Sequence, residues 1–91
     1  MIPQQRAPTP AGEILLEEFL KPLGLSQVEA ARRMDVPLNR LNEVIRGKRG
    51  VTADTALRLA RVLDTSPEFW MNLQTARDLY QASRALEAAQ A

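Results

Sequence analysis

A chain of 91 residues, 45% hydrophobic and 25% charged, has room for one small globular core and no second one. It contains neither histidine nor cysteine, which excludes disulfides, thiolate or imidazole metal sites, cysteine nucleophiles and imidazole general-base catalysis. The net charge is only +1, but it is polarised along the chain: residues 32–49 hold six basic side chains against two acidic ones, and residues 11–31 hold four acidic against one basic.

Residues 1–9 contain Pro3 and Pro8 among polar neighbours, with Pro10 next, and read as an irregular arm. From residue 10 onward the chain reads as one all-α domain of five helices. The first shows Ile14, Leu15, Phe19 and Leu20 at helical spacing, with Glu13, Glu17 and Glu18 on the other side, and ends at Pro22 and Gly24. Ser26 with Glu29 three residues on predicts an N-cap and capping box for a short second helix, Gln27 to Met34. That helix is expected to bury Val28 and Ala31 and to expose Arg32 and Arg33. Asp35, Val36 and Pro37 make a sharp turn, with Asp35 in the left-handed region and Pro37 in the first turn of the third helix.

The third helix carries Leu41, Val44 and Ile45 inward and stops at Gly47, before the basic loop Gly47-Lys48-Arg49-Gly50. The fourth starts at Thr52 or Ala53 and places Ala56, Leu57, Ala60 and Leu63 on one face. Ser66-Pro67-Glu68 supplies an N-cap, a first-turn proline and an acid for the fifth, about 67–88. No alternating strand pattern and no repeat is present. No apolar run approaches the roughly 18 residues of a membrane span, and Met1-Ile2-Pro3-Gln4-Gln5-Arg6 lacks a signal-like apolar stretch. The expectation is a cytoplasmic protein.

The chemistry lies on the outer side of the third helix. Asn39, Asn42, Glu43 and Arg46 fall at i, i+3, i+4 and i+7, opposite Leu41 and Ile45. Amides, a carboxylate and a guanidinium are the groups that read base edges: Arg with guanine, Asn with adenine, Glu with cytosine. The plain alternative is a solvated helix face. Two short helices, a turn of about four residues and a polar face on the second are the helix-turn-helix pattern, and they favour base reading. Gln27, Arg40, Lys48 and Arg49 then flank that face as candidate phosphate contacts.

Trp70 reads either as core or as an exposed partner anchor, and its i, i+3 pairing with Leu73 favours the core. Leu73, Ala76 and Tyr80 form a further stripe on the fifth helix, longer than the domain needs, and are expected to make a dimer contact. Glu13, Glu17 and Glu18 are the one carboxylate grouping and read as a solvated face. No metal, no cofactor and no catalysed reaction is expected.

The run from Leu25 to Glu43 resembles the phage-repressor (XRE, Cro/C1-type) helix-turn-helix. Residues 42–60, residues 65–74 and the opening Pro10-Ala11-Gly12-Glu13-Ile14-Leu15 more closely resemble HigA-type antitoxins. The likeness covers roughly residues 8–80 and rests on three separate motifs. It departs at Asp35, where such turns often hold glycine. The resemblance implies a lambda-repressor-like fold and a homodimer that binds a palindromic operator in double-stranded DNA. It further implies that the protein neutralises a HigB-type toxin, a small RelE-like ribonuclease that cleaves mRNA. Two other readings stay open on the residues alone: a stand-alone repressor without a toxin, and a protein-interaction module that does not bind DNA.

Overall fold

The computed structural model describes residues 7–90 of the chain; the first six residues of the expected arm lie outside them. Among the described residues there are five helices and no strand. Helix α1 runs unbroken through Ala11–Ile14, a π-helical stretch Leu15–Leu20, and Lys21–Leu23. Helices α2 (Gln27–Met34), α3 (Leu38–Ile45), α4 (Ala53–Leu63) and α5 (Pro67–Gln90) follow. The π-helical stretch stands directly before Pro22, which has no N–H to donate and whose ring would strike the Glu18 carbonyl in a regular α-helix. Lys21 N–H instead reaches back to the Leu16 carbonyl, one residue further than an α-ladder allows.

Local chemistry explains where the helices start. Ser26 Oγ accepts from Glu29 N–H, Thr52 Oγ1 from Thr55 N–H and Ser66 Oγ from Phe69 N–H, each satisfying an orphan donor of a first turn. Two details differ from expectation. The Glu29 carboxylate does not return to Ser26, because Arg32 and Arg33 hold it. Pro37 is the N-cap of α3, not its first helical residue; its ψ of 145° is extended, so the helix begins at Leu38.

The helix ends share one device. α1, α2, α3 and α4 each finish on a left-handed residue: Gly24, Asp35, Gly47 and Asp64. The next N–H reaches five residues back, from Leu25 to Leu20, Val36 to Ala31, Lys48 to Glu43 and Thr65 to Ala60. Asp35 takes the conformation expected of it. Asp64 does the same without having been expected to.

The core is built from Leu15, Leu20, Met34, Leu41, Val44, Leu59 and Trp70, all buried. Trp70 is fully enclosed, donates from Nε1 to Thr65 Oγ1 at 2.7 Å, and meets Phe19 at a tilt of 53° and Phe69 edge-on at 82°, with centroid distances of 5.3 and 4.9 Å. α1 packs against α3 and α5, α2 against α3 and α4, and α4 against α5. Two expected core residues are outside it: Val28 and Leu57 are both more than half exposed. Ala30, Ala31 and Met34 set the inward direction of α2, and Val28 lies on its flank; Ala56, Leu59 and Ala60 do the same to Leu57 on α4.

Candidate nucleic-acid interface

α2 and α3 meet across the turn at residues 35–37, and the bond from Val36 N–H to the Ala31 carbonyl holds that turn tight. A second bond ties the two helices side chain to side chain, as Asn42 Nδ2 donates to Gln27 Oε1 at 3.2 Å. Gln27 is thereby joined to the outer face of α3. On that face Asn39 and Arg46 are exposed, and Asn42 and Glu43 are half-buried. Glu43 accepts from Arg49, whose Nε and Nη2 lie 3.0 and 2.8 Å from its Oε1.

The basic loop is folded onto the end of α3. Lys48 and Arg49 both donate their backbone N–H to the Glu43 carbonyl, at 2.8 and 3.2 Å. Gln74 of α5 holds the far side, its Oε1 accepting from Val51 N–H at 2.7 Å. Arg46, Lys48 and Arg49 line a depression of about 330 Å³ that also includes Gly12 at the start of α1 and Arg77 on α5.

Of the candidate contacts, the structure brings together Gln27, Asn39, Asn42, Glu43, Arg46, Lys48 and Arg49. Arg40 stands apart, about 100° round the helix from Asn39. Its Nη2 donates to Asp54 Oδ2 at 2.7 Å and to the buried Thr55 Oγ1 at 2.9 Å, bracing α3 against α4. Asp54 also accepts from Arg58, whose Nη1 reaches the carbonyls of Met34 and Asp35 and so closes the end of α2. Arg58, Asp54 and Gln74 escaped sequence reading because the partners they bind on other elements, Met34, Arg40 and Val51, lie 24, 14 and 23 residues away along the chain.

These pairings reshape the charge. Hydrogen bonds from Arg32, and then from Arg33, hold the Glu29 carboxyl down to about 2. Hydrogen bonds from Arg40 and Arg58 lower Asp54 likewise. Four of the six cations in residues 32–49 thus face a carboxylate. Arg46 and Lys48 are left without an ion pair among the described residues, and both belong to the α3 face or its loop.

On α5, Leu73 is half-buried against the core, Ala76 is exposed and Tyr80 is half-buried. Leu79 and Leu86, seven residues apart, are 53% and 61% exposed. No described helix is long and apolar enough to cross a membrane.

A helix-turn-helix family model matches residues 16–70. Among solved structures, the chain is similar to antitoxin GraA at 49% identity, with a TM-score of 0.84 over 88% of this chain and 86% of that one. It is also similar to Pseudomonas aeruginosa antitoxin HigA, solved with the higBA promoter, at 41% identity and a TM-score of 0.85 over 90% and 89% of the two chains. The chain belongs to the helix-turn-helix family, in its HigA-type branch. A further relative is Virulence-associated protein I of Dichelobacter nodosus, 51% identical over 73 residues, or 80% of this chain and 68% of that protein. In this helix-turn-helix protein, α2 is the first helix of the motif and α3 the recognition helix. Asn39, Asn42, Glu43 and Arg46 are therefore on the outer face of the element that enters the major groove in such folds.

Proposed function

We propose that this HigA-type chain is an antitoxin that binds its own operator as a homodimer, represses transcription and neutralises a HigB-type mRNA-cleaving toxin. The observation that carries the reading is the outer face of α3, where Asn39, Asn42, Glu43 and Arg46 are presented beside Gln27 with Lys48 and Arg49 next to them. Asn39, Asn42 and Arg46 read base edges. Glu43 reads cytosine when it is released from Arg49. Lys48, Arg49 and Gln27 set the register on phosphates. Arg40 joins them only by leaving Asp54. The protein binds and releases partners; it catalyses no reaction.

The test is a gel shift on the gene's own promoter over a range of salt concentrations. Arg46→Ala should weaken operator binding by about 1–3 kcal/mol while sparing random DNA, as for a bidentate guanine contact. Equal loss on both DNAs would make Arg46 a phosphate contact. The double change Lys48→Ala, Arg49→Ala should weaken binding to every sequence and lower the log–log salt slope by about 0.9 for each phosphate contact removed. An unchanged slope would put this loop in solvent. Failure to bind any DNA would leave the protein-interaction reading, and binding without rescue from a co-expressed HigB-type ribonuclease would leave the stand-alone repressor.

A further inference from the structure

The reading face has an apolar end that its polar residues do not explain. Leu38, the first residue of α3, is 45% exposed, and Val28, in the first turn of α2, is 64% exposed. Single exposed aliphatic residues need no explanation. These two come from different helices and line one shallow depression with Ser26, Gln27, Asn39 and Asn42. It is therefore continuous with the base-reading face. Gln27 Oε1 and Asn42 Nδ2 are committed to each other, which leaves the aliphatic groups as a prominent feature of this end.

We propose that Leu38, backed by Val28, is a specificity-determining residue that receives the C5-methyl group of a thymine in the operator. The inference rests on the DNA-binding reading above and adds a base preference to it. When a helix-turn-helix docks, the N-terminal residues of its second helix meet the base edges, and Leu38 is the first of them. Leucine has no donor or acceptor with which to read a polar edge. Among the four unmodified bases, thymine alone shows an apolar group in the major groove, its methyl. The occupant that fits is a methyl group, flanked by the polar edges that Asn39 and Asn42 can reach.

The experiment uses the full chain and a duplex enriched by repeated binding from a random-sequence pool. Each thymine of the enriched site is replaced in turn by uracil, which lacks only the methyl. One position per half-site should lose about fourfold in affinity, the equivalent of ~0.8 kcal/mol for one buried methyl group. Leu38→Ala should lose a similar factor on the thymine duplex and bind the uracil duplex as the unsubstituted protein does. Leu38→Met, which keeps an aliphatic contact, should retain the distinction between thymine and uracil. Circular dichroism and sedimentation check that both variants keep their fold and assembly.

A uracil scan with no position that depends on Leu38 overturns the proposal and leaves DNA binding standing. A change of assembly state in Leu38→Ala with no methyl dependence would also overturn it, and would assign the patch to a second copy of the chain. If the unsubstituted protein enriches no sequence, the DNA-binding reading falls and this proposal falls with it.

Discussion

A methyl group at Gly12 would stand 2.2 Å from the Val44 carbonyl oxygen and 2.6 Å from that of Ile45. The first turn of α1 therefore touches the last turn of α3 through bare backbone, and no side chain there can swing aside. Gly12→Ala should destabilise the fold by about 1–3 kcal/mol, the usual range for overpacking, as read from urea midpoints. It should also weaken operator binding beyond that loss, because the contact positions the end of α3 that carries Arg46. A variant of unchanged stability would mean that the two helices can separate freely. Trp70 shows the opposite way a residue can be constrained. It is large and enclosed, its one polar atom is satisfied by Thr65, and its ring forms a three-ring cluster with Phe19 and Phe69, which also touch each other. This settles its two sequence readings in favour of the core.

Among the elements, α2 depends most visibly on charge. Its first-turn Glu29 accepts from Arg32 and Arg33 one turn on, and the carboxyl is held at about 2 against an ordinary 4.5. A carboxylate whose folded value lies below its unfolded value adds stability above the unfolded value and loses it as pH falls through the folded one. The contribution of Glu29 is therefore complete above about pH 4.5 and lost progressively toward about pH 2. Asp54, lowered by Arg40 and Arg58, acts in the same direction on α4. Urea midpoints should fall across this acid window. Glu29→Gln should flatten part of the fall, and added salt should shrink the difference between the two proteins, since these pairs are exposed. Identical acid profiles would show that the pairs on α2 do not contribute to stability.

At the scale of the whole molecule, α5 is the outlying feature. Its 24 residues extend about 36 Å at 1.5 Å per residue, in a body 46 Å long and only 23 by 21 Å across. Its first half closes the core through Trp70 and, through Gln74, holds the basic loop. Its second half carries Leu79 and Leu86 in the open, beside the expected stripe of Leu73, Ala76 and Tyr80. A two-fold contact there would cover the apolar row and pair two recognition helices for half-sites about 34 Å apart. The double change Leu79→Lys, Leu86→Lys should leave a folded monomer by sedimentation. It should also reduce operator affinity by far more than one lost contact, since a single half-site binds weakly. A dimer that persists would move the interface elsewhere, most simply to α4, where Leu57 is exposed.

The sequence by itself determined what repeats within a turn or two of helix. Ser26, Thr52 and Ser66 marked helix starts because an N-cap bonds a donor three residues away. The face shared by Asn39, Asn42, Glu43 and Arg46 was legible because helical rotation alone groups them. The motif resemblance carried the same local information as far as the family. The tertiary structure decided which flank of each amphipathic helix is covered, and so left Val28 and Leu57 outside the core and Leu38 at the edge of the reading face. It also decided the long-range polar bonds. Arg40 meets Asp54 across 14 residues, Val51 meets Gln74 across 23 and Arg58 meets Met34 across 24. Helix phase is written in spacings of three and four residues, whereas the angle at which helices cross, and therefore which distant groups meet, depends on how all five pack at once.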